Sequence, residues 1–164
     1  MATRSTIALE FADGTIGQVY CHWDGYLAHN GKMLQEYYSN PFILRDLIDL
    51  GNLSSLRPQI GTKHPFAHYD VADMTLEQHS NLYRDMCTFY DRDRGERSSD
   101  ATYYNDYLHF LVDGQQEEYD YILRNVNGVA TWFVSDLGGD YKMLTEALAE
   151  EARELEEITE VGVL

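Results

Sequence analysis

Thr6-Ile7-Ala8-Leu9-Glu10-Phe11, then Ala12-Asp13-Gly14-Thr15, then Ile16-Gly17-Gln18-Val19-Tyr20-Cys21-His22-Trp23: two apolar runs divided by Asp-Gly open the chain. β-branched and aromatic residues suit a pleated, half-buried surface. Asp-Gly between such runs signals a hairpin, because a type I′ turn needs positive φ at both central residues. The stretch predicts an N-terminal β-hairpin and commits the fold to a sheet.

Outward from the hairpin the period changes. Met33, Leu34, Tyr37 and Tyr38 are spaced for a helix that ends at Ser39-Asn40-Pro41. A second helix carries Phe42, Leu44, Leu47, Ile48 and Leu50, with Gly51 at its C-terminal cap. From Asn52 to Ala101 the pattern weakens. Thr75 and Gln78 have capping-box spacing for a short helix over 75–82. Met86 to Tyr90 reads as a strand, and Asp91 to Arg97 as a charged loop. Runs at 104–112, 119–125 and 128–134 predict an antiparallel meander, with Asn127-Gly128 a second type I′ turn. Gly138-Gly139 ends the last of these strands. Tyr141 to Glu157 sets Leu144, Ala147, Leu148, Ala152 and Leu155 on one face and carboxylates on the other, an amphipathic helix. The expected architecture is α+β: an antiparallel sheet with an N-terminal hairpin, helices packed on it and an acidic C-terminal helix. Residues 1–158 are expected to form a single domain and 159–164 a flexible tail.

A chain of 164 residues suffices for one buried core. Two cysteines, Cys21 and Cys87, are too few for a secreted disulfide scaffold. With no signal-peptide-like start and no apolar run of about 18 residues, a cytoplasmic protein is expected. The net charge is -16. Such acidity repels phosphates and argues against direct nucleic-acid binding. It is either solubilising or presented to a basic partner. Asp140 to Leu164 hold eight acidic residues against Lys142 and Arg153, and Asp113, Glu117, Glu118 and Asp120 form a second group. Packed side by side, the helix and the meander would merge Glu146, Glu150, Glu151, Glu154 and Glu157 with that group into one acidic surface.

Other clusters carry candidate chemistry. Strand alternation sets Tyr20, His22 and Asp24 on one face, and Cys21 and Trp23 on the other, with Trp23 expected in the core. Cys21 and His22 therefore do not face each other, which disfavours a Cys-His nucleophile. His22 with Asp24, near His29, is the candidate for a hydrolase base or a metal ligand. His64 and His68 flank Pro65, which makes a continuous metal-binding helix through this pair unfavourable; His79, Asp70 and Asp73 follow. No metal or cofactor is predicted. Arg92, Arg94 and Arg97 suit a phosphate or carboxylate.

Met1-Ala-Thr-Arg-Ser-Thr-Ile-Ala8, Val19-Tyr-Cys-His-Trp-Asp-Gly-Tyr26, Gly31-Lys32, Leu50-Gly-Asn-Leu-Ser-Ser-Leu56 and Tyr90-Asp-Arg-Asp-Arg-Gly-Glu96 together resemble a family of small uncharacterised proteins encoded by bacteriophages and prophages. The resemblance spans the first hundred residues or so and implies a context, an accessory protein acting on host machinery or host defence. Three functions are carried forward. The first is a non-enzymatic inhibitor of a host nucleic-acid-acting defence complex, of anti-CRISPR or anti-restriction type, whose carboxylates occupy the partner's basic groove as a nucleic-acid mimic. The second is a small-ligand-binding protein that sequesters a nucleotide-like signal with His22, Trp23, Asp24, Tyr26, Arg92, Arg94, Arg97 and Tyr104. The third is a His/Asp hydrolase built on His22 and Asp24.

Overall fold

The computed structural model describes residues 2–161. β1 (Ser5–Glu10) and β2 (Ile16–Cys21) pair antiparallel with Ile7 opposite Val19, as the opening stretch predicts. The turn is of another type. Within it only Gly14 takes positive φ (88°); its N–H donates to Phe11 O, and Phe11 N–H donates to Thr15 O. This is a type I turn closed by a left-handed glycine, a three-residue loop rather than type I′.

A π-helical turn (Leu27–Gly31) runs into α1 (Lys32–Tyr37), and α2 (Pro41–Asp49) follows. Asn40-Pro41 is more than a breaker. Asn40 Oδ1 accepts from Phe42 N (2.9 Å) and Pro41 occupies the first helical position, where its missing N–H costs nothing. β3 (Leu53–Ser55) leads to a long excursion that holds a 3-10 turn (His68–Asp70) and α3 (Leu76–Tyr83), whose Thr75 and Gln78 form the expected capping box. The predicted strand at 86–90 shortens to β4 (Thr88–Phe89), and the charged loop is instead one helical turn, α4 (Tyr90–Arg94), stopped by left-handed Gly95.

The first strand of the predicted meander is also corrected. It splits into β5 (Thr102–Tyr104) and α5 (Tyr107–Asp113), because Asp106 Oδ1 accepts from His109 N (2.8 Å) and starts a helix. β6 (Tyr119–Val126) and β7 (Val129–Asp136) pair through Asn127-Gly128, both with positive φ, the type I′ turn expected there. Leu137 and Gly138 turn the chain into β8 (Lys142–Met143), and α6 (Leu144–Glu160) closes it. Of the tail expected over 159–164, Thr159 and Glu160 belong to α6, and residues 162–164 lie outside the described residues.

The fold is α+β, with the expected hairpin and C-terminal helix. Its sheet, ordered β4-β3-β2-β1-β6-β7-β8 with β5 also on β2, is mixed rather than antiparallel. β1 pairs parallel with β6, and β2 with β3, because helical connections return the chain in the same direction. Alternation then builds two cores. Ile7, Leu9, Val19, Tyr121, Leu123, Trp132 and Val134 face α1, α2 and α6, while Ala8, Ile16 and Ile122 face Phe110 of α5 and Tyr104. Leu144, Ala147 and Leu148 anchor α6; Ala152 and Leu155, expected on the same packed face, are exposed (Leu155 52%) because the helix runs past the sheet.

Candidate functional site

The weakly patterned segment between β3 and β4 bends away from the sheet and leaves two adjoining clefts. α3 buries none of its side chains, so it forms a wall rather than a core element. The first cleft, ≈ 410 Å³, lies between α3 and the ends of β2 and β3, and its lining includes Trp23, Asp24, Ser54, Arg57, Phe66, His79, Tyr83 and Arg84. The second, ≈ 570 Å³, is bounded by Lys63, His64, Pro65, Phe66, Asp70, Arg92, Asp93, Arg94 and Gly95. Phe66 belongs to both.

Backbone pairing places Trp23 at the rim of the first cleft, since Trp23 N donates to Ser54 O (3.0 Å). Its indole is 44% exposed, so it stands outside the core expected for it. His79 Nε2 lies 2.6 Å from Pro65 O; a carbonyl only accepts, so Nε2 carries the hydrogen and Nδ1 is an acceptor in the cleft lining. Arg57 Nη1 donates to Leu56 O (2.9 Å). Among the described residues no carboxylate lies within 4 Å of the Arg57 or Arg84 guanidinium. In a chain of net charge -16, two arginines without ion pairs in one cleft are a feature that solubility does not explain.

The second cleft rests on a buried frame. Arg92 donates to Asp93 Oδ1 (3.0 Å) and Oδ2 (3.2 Å), to Ile60 O and Gly61 O, and to Cys87 O (2.9 Å). Its donors are spent on the protein, so Arg92 is structural and the expectation that it grips a phosphate fails. Arg94 instead stacks 4.3 Å over Phe66, paired with Glu96. His64 Nδ1 donates to Thr62 O (2.8 Å), which leaves Nε2 to accept from Thr88 Oγ1 (3.1 Å). His64 also stacks on Tyr83, with ring centroids 4.9 Å apart, tying the frame of one cleft to the wall of the other.

Of the predicted ligand residues, Trp23, Asp24, Arg92 and Arg94 line the clefts, Arg92 with its donors spent on the protein. Tyr104 does not: it is buried across the sheet, donating to Gln18 Oε1 (2.7 Å). Tyr26 stands beside His29, and Arg97 is exposed beyond α4. His22 Nδ1 is held by Tyr20 Oη (2.7 Å) while Asp24 turns into the first cleft, so the His22–Asp24 pair of the hydrolase reading has no hydrogen bond. Cys21 is buried, its thiol pushed up to about 12 by desolvation, and it contacts Asn30 and Trp23 O rather than His22. Among the described residues no group of three or more His, Cys, Asp or Glu is placed to hold a metal, and no helix is long and apolar enough to cross a membrane. Arg57, Phe66, Tyr83 and Arg84 escaped the sequence reading, which raised His79 only in the setting of a metal site. Only the scarcity of core-forming positions across 59–86 hinted at a segment kept for something other than packing.

The acidic residues divide. Asp120 is wholly buried, contrary to a surface role; Thr6 Oγ1 donates to its Oδ1 (2.6 Å), and desolvation raises its pKa to about 6. Asp113 sits on α5, across the sheet from α6. Glu117 is half-buried near Arg4 and His22, its pKa raised by desolvation. The Tyr119 phenol is raised first by desolvation and then by the charges of Asp136, Glu151 and Glu118, so of that group Glu118 acts on the same phenol as Glu151 of α6. On α6, Glu146, Glu150, Glu154 and Glu157 are exposed, with Glu150 paired to Lys142 (2.9 Å).

Comparison of the chain with known protein families, curated proteins and solved structures finds no match.

Proposed function

We propose that this protein binds a small anionic ligand with a planar base, of the nucleotide class, and acts by sequestering it. The observation that carries the reading is the first cleft: Arg57 and Arg84, without carboxylate partners, beside Trp23, Phe66 and Tyr83. Guanidinium groups meet phosphate oxygens with charge-assisted, often bidentate, hydrogen bonds, and aromatic faces stack on bases. Ser54 and the His79 Nδ1 acceptor supply the few polar groups that orient a ligand in such a pocket. The cleft's local positive charge answers the objection that a protein of this net charge repels anions.

Titration calorimetry with adenosine 5′-monophosphate and with adenosine tests it. The phosphate is expected to be required, R84A to weaken binding at least tenfold, and affinity to fall with added salt. Adenosine binding as tightly as the monophosphate, or R84A binding like the parent, overturns it.

A second reading, inhibition of a host nucleic-acid-acting complex by an acidic surface, is supported by the exposed carboxylates of α6 spaced three and four apart. It concerns Glu146, Glu150, Glu154 and Glu157, with Glu151 and Glu118 at the margin; Asp120 and Asp113 drop out of it. Its expected sign is loss of inhibition on reversing Glu150, Glu154 and Glu157 to Lys.

A further inference from the structure

We infer that the two clefts form one bipartite site, and that its ligand is a dinucleotide whose two phosphate-bearing halves straddle Phe66. The inference rests on the nucleotide-binding reading above and deepens it. Phe66 lines both cavities, and the His64 ring of the second cleft stacks on the Tyr83 ring of the first, so the spaces adjoin. The first lining is net cationic although the chain is net acidic, with Arg57 and Arg84 against Asp24. In the second, Arg92 is balanced by Asp93 and Arg94 by Glu96, which leaves Lys63 as the cation without an ion pair, with Asp70 in the same lining.

The roles within the second cleft follow from how each charge is used. Asp93 is neutralised by Arg92, and Asp70 Oδ2 accepts from Ala67 N (3.0 Å), which fixes it in the 3-10 turn. Lys63 is exposed and has no carboxylate within 4 Å among the described residues; Arg94, paired with Glu96, sits 4.3 Å over the Phe66 ring. A point charge beside a stacked guanidinium suits a second phosphate and its base. A cavity of ≈ 410 Å³ admits one drug-sized group, so a ligand that also fills ≈ 570 Å³ next to it must be larger than a mononucleotide. Linking two weakly bound halves makes the second contact intramolecular, so affinity rises without new groups.

The probes are adenosine 5′-monophosphate and linear 5′-phosphorylated diadenylate, titrated into the full chain and into K63A and R84A. Both side chains are exposed, so both variants keep the fold, checked by their melting temperatures. The diadenylate is expected to bind about 10²-fold more tightly than the monophosphate, K63A to cut that preference at least tenfold, and R84A to weaken both probes alike. Equal affinities for the two probes, or a K63A variant with unchanged preference, overturn the bipartite site while leaving the single-cleft reading standing. Failure of both probes to bind at millimolar concentration overturns both.

Discussion

Asp93 and Asp120 are both buried carboxylates, and the molecule treats them in opposite ways. Asp93, beneath the second cleft, accepts from Arg92 through both oxygens, from His64 N (3.1 Å) and from Phe89 N (2.8 Å). Asp120, under α5 on the far side of the sheet, accepts from Thr6 Oγ1 and Glu117 N through Oδ1, while Oδ2 has no partner among the described residues. Among the described residues no guanidinium or ammonium lies within 4 Å of it. Burial without a countercharge favours the proton, which is why Asp120 titrates near 6. The lesson is local. One buried acid holds a binding frame together as an ion pair, and the other closes a polar network that works best when protonated.

The largest test of that contrast is D93A. It strands the Arg92 guanidinium among carbonyls and removes acceptors from two backbone N–H groups, so unfolding by guanidinium chloride should show a loss of about 3–5 kcal/mol. A loss below about 1 kcal/mol would mean that Arg92 finds water and that the frame is not held by this pair.

The second test uses pH. Asp120 has a folded pKa of about 6 against an ordinary value of 3.8, so the native state binds its proton more tightly than the unfolded chain. Its contribution is therefore fully present below about pH 4 and is lost as pH rises through 6, on the order of 2–3 kcal/mol. D120N cannot ionise. Its stability relative to the parent should rise between pH 4.5 and 7.5 by about that amount, measured by urea unfolding at both values; a constant difference refutes the assignment.

A smaller effect is expected at Thr6, whose hydroxyl donates to Asp120 and accepts from Gln18 Nε2 (2.9 Å). T6V should cost about 1–3 kcal/mol through the unsatisfied partners it leaves. Smallest is Y141F. The Tyr141 hydroxyl is buried without a partner among the described residues and feels the Asp120 charge, so its removal should leave stability unchanged or raise it by up to about 1 kcal/mol in thermal unfolding. A loss above 1 kcal/mol would show that the hydroxyl bonds to something within the network.

Elements with local signals were legible. The Asp13-Gly14 hairpin, the α2 apolar stripe, the Thr75 capping box and the Asn127-Gly128 turn depend on residues within a few positions of one another. Misreadings arose where a local signal was outweighed by a cap. Asp106 turned a β-rich run into α5, and Gly95 closed Tyr90 to Arg94 as a helical turn. Part of the clefts' chemistry was in view as residue types: Trp23, Asp24, Arg92 and Arg94 were named for a ligand, and His64, Asp70 and His79 for a metal, while Arg57, Phe66 and Arg84 were not named.

The sequence by itself determined the fold class, the hairpin, the acidic helix and the total charge, because periodicity, turn chemistry and ionisation are properties of neighbouring residues or of a sum over the chain. Tertiary structure alone decided that Asp120 is inside while Glu150 is outside, that Arg92 is consumed by backbone carbonyls 5 to 32 positions away, and that Phe66 lines two adjoining clefts. Those outcomes are set by which distant groups share a low-dielectric interior, and no spacing along a chain encodes them.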